Sequence, residues 1–422
     1  MNEGRLPVTM GHGSLRVALL SYRAHPEVGG QGVYVRYLSR ALAEEGHRVT
    51  VFAGPPYPEL DDEVSFVPIP SLDLYRPDDP FRRPGLREFR SAADLLEYGV
   101  MCTGAFPEPL TFSLRVASEL RRRRGRFDVV HDNQSLGYGL LRVTRELPTI
   151  ATVHHPISVD RRIALSAAPS AAIRFQQRRW YSFVRMQARV ARRMSRIVTV
   201  SRSAAADVTR DFKVPADKVT VINNGVDPDL FKPLPDVARV PGRIVTVASS
   251  DLPSKGIGHL IEAVAKLRTE RDAELIIIGK GGLGRATKKA IARFGLQDAV
   301  RTVGRVDVLE MVRLYAEAEV AVVPSLYEGF SLPAIEAMSC GVPLIATSGS
   351  SLDEVIGDDG AGVLVPPGDA FALATALDRL LGQEGERTAL AVAARTRVLE
   401  RFTWHAAASA TAGEYRRAIA SC

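Results

Sequence analysis

Short apolar runs alternate with amphipathic stretches from one end of the chain to the other, and the runs fall into two sets. Arg16–Leu20, Val49–Phe52, Val129–Val130, Thr149–Val153 and Ile197–Val200 make the first set. Ile244–Ala248, Glu274–Ile278, Val300–Val303, Val320–Val323 and Pro343–Ala346 make the second. Unbroken Val and Ile runs separated by helical patterns predict strands of parallel sheets buried on both faces. Two sets predict an α/β protein of two Rossmann-like, doubly wound domains facing a cleft. The stretch Lys232–Gly242, rich in proline, reads as a linker and sets the domains at 1–235 and 236–402. From about 403 to 422 the pattern is helical, with Thr403 as its cap.

Doubly wound sheets bind ligands beyond the carboxyl ends of their strands, so the residues just after each run carry most of the functional information. Val320–Val323 leads into Glu328-Gly-Phe-Ser-Leu-Pro-Ala-Ile-Glu336, two carboxylates with seven residues between them. Glu328 falls at the mouth of a loop and Glu336 in the first turns of a helix predicted over Pro333–Cys340. The helix start between them offers free N–H groups, a seat for phosphate. A carboxylate beside such a seat repels anions and suits hydroxyls: a sugar on one side of the phosphate, a ribose on the other. Taken singly, Glu328 reads equally as a capping acid and Glu336 as a solvated helix residue.

Three further places follow strands. Gly29, Gly30 and Gly32, after the first run, allow backbone to approach a ligand closely, although a tight strand-to-helix turn explains them equally well. His154 ends the Thr149–Val153 run at the sheet's carboxyl edge, and His131 ends another. Lys255 follows the first strand of the second set, where its charge could offset that of a departing diphosphate. As isolated residues, a loop histidine bonded to backbone and a solvated lysine account for His154 and Lys255.

Composition narrows the partners. The chain has 422 residues and a formal charge of +7, which favours anionic ligands without choosing among nucleotides, nucleic acid and acidic membranes. Cys102, Cys340 and Cys422 are scattered without metal-like spacing, which predicts a reducing, cytoplasmic setting. No apolar run is long enough to span a bilayer. Asp227-Pro-Asp229 mimics a metal-binding pair, but Asp227 reads better as the cap of a short turn, and no metal is assigned.

The run Glu328–Pro343, continued by Leu-Ile-Ala, resembles the E-x7-E signature of the retaining GT-B glycosyltransferases, in particular family 4. Ala-Thr-Val-His154 resembles that family's Thr-x-His, and the Gly29–Gly32 loop its first glycine-rich loop. The resemblance implies transfer of a sugar from a nucleotide-sugar, UDP- or GDP-linked, to a hydroxyl of a sugar, glycan or glycolipid. The donor's configuration would be retained through front-face displacement. Glu328 would then bind the sugar, Glu336 the ribose, and Phe330, Ser331 and Leu332 would present backbone N–H groups to phosphate. Lys255 would stabilise the leaving group, His154 would line the sugar pocket, and Gly29 and Gly30 would lie beside the diphosphate. The terminal helix would cross back onto the first domain. Ser249 and Ser250 stand where the family commonly has an arginine, and Arg305 is a candidate replacement. Two alternatives go with the resemblance: a phosphorylase or disaccharide synthase acting on soluble sugars, and a non-catalytic sugar-nucleotide-binding protein. No cofactor is implied.

A basic stretch, Arg161–Arg196, interleaves arginines with Trp180, Tyr181 and Phe183. It reads either as a peripheral contact for an anionic membrane or as a long surface helix with its aromatic residues packed inward. No recognition motif accompanies the charge, so nucleic acid is not an expected partner. The segment Ser71–Pro109 matches nothing clearly; by the resemblance, its Pro-, Asp- and Arg-rich portion lies where the family's first domain varies with the acceptor.

Overall fold

The computed structural model describes residues 13–25, 30–76, 78–166, 168–247, 253–279, 284–304 and 306–421. The chain divides into two compact units. One comprises 1–198, 208–220 and 408–422, the other 199–207 and 221–407.

The first unit carries a seven-stranded sheet. Its strands are β1 (Arg16–Ser21), β2 (Arg48–Ala53), β3 (Ser65–Pro68), β4 (Val129–Asn133), β5 (Thr149–Val153), β6 (Arg196–Thr199) and β7 (Val219–Val221). Their order is β3-β2-β1-β4-β5-β6-β7. β1 pairs in parallel with both β2 and β4, and β4 with β5. The second unit carries β8 (Arg243–Val247), β9 (Glu274–Ile278), β10 (Val300–Val303), β11 (Val320–Val323), β12 (Leu344–Thr347) and β13 (Val363–Val365). Here the order is β10-β9-β8-β11-β12-β13, all parallel. In both sheets the first strand lies between the second and the fourth, the doubly wound order, so each has a topological switch point beside its first strand. Both sheets are Rossmann-like, as the sequence predicts.

Burial explains most of the strands the pattern revealed, the exception being the edge strand β10, read at Val300–Val303 although none of its residues is buried. β5 and β11 are buried at every position and read as apolar runs. β3 is an edge strand with no buried residue, and β7 and β13 are three residues long, so none of the three was anticipated. β4 extends past Val130 through His131, Asp132 and Asn133, all buried. Polar residues hid the end of that strand.

The boundary between the units falls earlier than residue 235. Val226 and Phe231 belong to the second unit's core, and Val226 N–H donates to Phe402 O at 2.8 Å. The proline-rich stretch is not a free linker: Arg239 donates to Gly341 O at 2.7 Å, and Val240 N–H to Glu317 O at 2.8 Å. A helix runs over Trp404–Ala420, with Thr403 Oγ1 accepting from Ala406 N–H at 3.2 Å. From Ala408 onward it belongs to the first unit, where Tyr415 is fully buried.

The basic stretch is not one long helix. It folds as Ser158–Ser166, Ala171–Trp180 and Val184–Ala191, the last two joined by a 3₁₀ turn over Tyr181–Phe183. Pro169 blocks continuation of the first piece, and Ser170 starts the second by accepting from Ile173 N–H at 3.3 Å. Among the described residues no helix is long and apolar enough to cross a membrane.

Candidate active site

The second unit's switch point lies between β8 and β11, and the loops leaving both strands are tied together there. Leu326 N–H donates to Ser254 O at 2.7 Å. Gly256, at φ +66°, precedes the helix Ile257–Leu267. A Cβ on it would stand 1.9 Å from Pro324 O, so only glycine permits this approach. These contacts bring Lys255 to Glu328: Nζ donates to Oε1 at 2.6 Å, and Ser325 Oγ donates to the same oxygen at 2.7 Å. Ser325 is itself fixed, its carbonyl accepting from Thr347 Oγ1. The sequence separated Lys255 and Glu328 widely; the fold makes them an ion pair at the sheet's carboxyl edge.

Downstream, Ser331 is buried and caps the helix Leu332–Ser339, with Pro333 in its first turn. The Ser331 side chain takes Ala334 N–H at 3.4 Å, and Pro333 has no N–H to offer. Phe330 lies in the loop just before, its ring edge-on to Phe402 at 6.0 Å. Glu336 sits one turn further on. Burial pushes its carboxyl up to about 7, against a hydrogen bond from Tyr315 that lowers it. Burial, and then the nearby Glu336 charge, pushes the Cys340 thiol up to about 12. Tyr315 is buried, and Pro333 O, 3.3 Å from its hydroxyl, is a second acceptor for the one phenolic proton. Among the described residues no cluster of His, Cys, Asp or Glu could hold a metal ion. Asp227 Oδ1 accepts from the N–H groups of Asp229 and Leu230, the capping role read from its sequence.

In the first unit, His154 leaves β5 beside the end of β4. Gln134, held at φ +56°, accepts from His154 N–H at 2.7 Å and donates to His155 O at 2.7 Å. Its side-chain amide thus extends the sheet past its last backbone pair. The polarity of the next bonds fixes the imidazole. Ser21 Oγ gives its single proton to Arg23 O at 2.8 Å, so it accepts from Asn133 Nδ2 at 3.3 Å. Asn133 Oδ1 is then turned to His154 Nε2, 2.8 Å away, and can only accept. His154 therefore carries its proton on Nε2 and presents Nδ1 as an acceptor. Burial, with His155 nearby, pushes its pKa down to about 3, so the ring is neutral.

Behind it, the Tyr34 ring stands edge-on at 4.7 Å. Tyr34 OH and His131 Nε2 both meet Thr152 Oγ1, at 2.9 and 2.7 Å, and His131 Nδ1 meets Tyr415 OH at 2.8 Å. His131, also pushed down to about 3 by burial, supports the wall and does not face a ligand. Tyr34, Asn133, Gln134, Thr152 and Ser325 escaped the sequence reading. The signal was the polar run His131–Ser135 at the end of an apolar strand, buried throughout.

Gly30 opens the helix Gly30–Glu44 and, with Tyr22, Arg23, Gln31, Gly32 and Phe106, lines a cavity of about 260 Å³. Gly32 has a packing reason of its own: a Cβ there would stand 2.3 Å from His25 O. Gly29, Ser249, Ser250 and Arg305 lie outside the described residues.

Comparison with known proteins identifies the family. The family described as Glycosyl transferases group 1 matches residues 237–397, and Glycosyltransferase Family 4 matches 28–230. The MMP alpha-(1->4)-mannosyltransferase of Mycolicibacterium hassiacum is 49% identical over 413 residues, covering 96% of this chain and 99% of that protein. The D-inositol 3-phosphate glycosyltransferase of Xylanimonas cellulosilytica is 30% identical, covering 96% and 97%. Among solved structures, sucrose-phosphate synthase from Thermosynechococcus elongatus shares the fold with a TM-score of 0.73 at 24% identity, covering 97% of this chain and all of that one. Anabaena Alr3699/HepE, solved with UDP and glucose, shares it with a TM-score of 0.70 at 18% identity, covering 96% and 100%. The chain belongs to the family 4 glycosyltransferases of the group 1 type.

Proposed function

We propose that this glycosyltransferase is a retaining α-mannosyltransferase, moving a hexose from a UDP- or GDP-sugar to a hydroxyl of an α-(1→4)-linked mannoside. The observation that carries the donor reading is the Lys255–Glu328 pair at the switch point, beside two helix starts. A carboxylate that already accepts from an ammonium and a hydroxyl is set up to accept from sugar hydroxyls. A lysine held there can turn to the departing diphosphate and offset its charge. The helix start at Phe330, Ser331 and Leu332 would take phosphate oxygens, and Glu336 the ribose. His154, neutral and proton-free at Nδ1, would accept from a hydroxyl of the sugar. Front-face displacement lets the leaving phosphate take the acceptor's proton, so no enzymic nucleophile is needed. Gly29, Gly30, Ser249, Ser250 and Arg305 complete the proposed donor contacts. The choice of mannose and of the α-(1→4) linkage rests on the 49% identical relative.

The helix Ala171–Trp180 exposes Ile173 and Phe175 beside Arg174 and Arg178, and would give a peripheral contact for an anionic membrane face in the cytoplasm. The test is a thermal-shift and turnover panel of UDP-, GDP- and ADP-sugars with α-(1→4)-mannosides, with and without anionic vesicles. Stabilisation by one donor and an α-configured product by NMR are expected. An inverted product, or donors that bind without transfer to any mannoside, would sink the reading.

A further inference from the structure

Phe106, in the wall of the cavity beside Gly30–Gly32, begins a continuous aromatic surface leading away from it. Its ring centroid is 5.2 Å from those of both Tyr75 and Trp180. Tyr75 and Trp180 are 5.5 Å apart, and Phe81 stands 5.3 and 6.0 Å from them. The outermost ring is costly to keep: Phe81 is 58% exposed and sits at φ +62°, a backbone conformation bulky residues avoid. Strain of this kind clusters where ligands are held. The Tyr75 hydroxyl is enclosed without a hydrogen-bond partner among the described residues, a polar group the protein itself leaves unsatisfied.

The remaining wall discriminates among ligands. Arg23, whose guanidinium lies 5.9 Å from the Tyr75 ring centre and 6.0 Å from that of Phe106, is clamped by Glu108 through two bonds of 2.6 and 2.7 Å. An arginine neutralised in this way does not call for phosphate, and a lipid tail has no use for Arg23, Gln31 and glycine backbone. Rings set among neutral hydrogen-bonding groups match a pyranose, which offers an apolar C–H face and a rim of hydroxyls.

We propose that Phe106, Trp180, Tyr75 and Phe81 form an extended subsite for an oligosaccharide acceptor. Its terminal sugar enters the cavity beside Gly30–Gly32, and its preceding sugars stack along the rings toward Phe81. The assignment rests on the glycosyltransferase reading and adds that the acceptor is a chain of several sugars.

Trp180 provides a direct readout. It and Trp404 are the chain's two tryptophans, and Trp404 is buried. Titration of the full chain with α-(1→4)-linked mannotetraose is expected to give a saturable change in tryptophan emission, absent in Trp180→Phe. In Phe81→Ala, whose lost ring is largely exposed, the midpoint should rise about five- to tenfold, with donor affinity and unfolding midpoint unchanged. Free mannose should bind at least about tenfold more weakly than the tetraose. Emission unmoved by mannotetraose, or wild-type binding by Phe81→Ala, would overturn the subsite. Donor binding on the same samples, read by thermal shift, separates this outcome from failure of the enzyme assignment itself.

Discussion

The two candidate sites, one in each unit, have opposite electrostatics. In the second unit the candidate site is built on formal charge: an ammonium and a carboxylate in contact, next to the start of the helix Leu332–Ser339. Around His154, the first unit presents neutral groups in which each bond direction is fixed by the next, from Arg23 O through Ser21 and Asn133. Charge suits a step in which a diphosphate departs, because a cation already in place stabilises negative charge as it develops. Neutral, oriented acceptors suit hydroxyls, which need direction more than field. Each region can therefore be broken by a substitution that leaves the other's logic intact.

The largest effect is expected at Glu328. Glu328→Gln keeps the shape but removes the charge that Lys255 and Ser325 converge on. It should lower kcat/KM by about 10²–10³-fold with an unchanged unfolding midpoint. Near-wild-type turnover would remove the second unit's charged pair from the mechanism.

The first unit's neutrality is tested next. With His154 pushed down to about 3, the wild-type pH–rate profile should show no ionisation of this ring between pH 5.5 and 8, a window estimated from the ordinary histidine range of about 6.5. Asn133→Asp places a carboxylate against Nε2, raises the pKa, and should introduce a loss on the acid side as Nδ1 becomes protonated. His154→Ala should cost about 10- to 30-fold, the scale of one well-placed hydrogen bond. A wild-type limb that disappears in His154→Ala would show the imidazole working as a titrating group, and the contrast between units would fail.

These two regions were not equally legible in the sequence. Glu328, Glu336 and Lys255 are legible because they fall where the sequence resembles the family's motifs, although each alone reads as a capping or solvated charge. The groups that orient His154 do not stand out. Asn133, Gln134 and Thr152 are buried polar residues whose purpose depends on partners from other strands, and sequence spacing carries no record of those partners. Fold followed the same rule. Strands buried on both faces were readable, and so was the edge strand β10, whose apolar ends show without any buried residue; the edge strand β3 and the short β7 and β13 were not, and the basic stretch broke at Pro169 where helical spacing alone carried it through.

Glu336 sharpens the comparison from inside the charged unit. Its carboxyl is held up to about 7 by burial, so between about 4.5 and 7 the folded state binds a proton that the unfolded state has released. Its contribution to stability is full below about 4.5 and is lost as pH rises through 7. Glu336→Gln should flatten that part of the stability–pH curve. If the ionised carboxylate accepts from ribose, donor affinity should instead improve as pH rises through 7, and the variant should bind about tenfold more weakly with no pH trend. Equal donor affinity in both proteins across this range would contradict the ribose contact.

The smallest functional effect is expected deepest in the neutral network. Tyr415→Phe removes the partner of His131 Nδ1 and leaves a buried ring nitrogen unsatisfied. The cost should be about 1–2 kcal/mol of stability, read from chemical denaturation. His131 is bonded to Thr152 on its other side, and Thr152 to Tyr34, whose ring packs edge-on to His154. If the chain only supports the wall, kcat and acceptor KM should stay within about twofold of wild type despite the lost stability, since no group that accepts from substrate has changed direction. A loss of turnover larger than that of His154→Ala would mean that the terminal helix sets the orientation of the site through this chain of bonds, and that the neutral region is tuned as a unit.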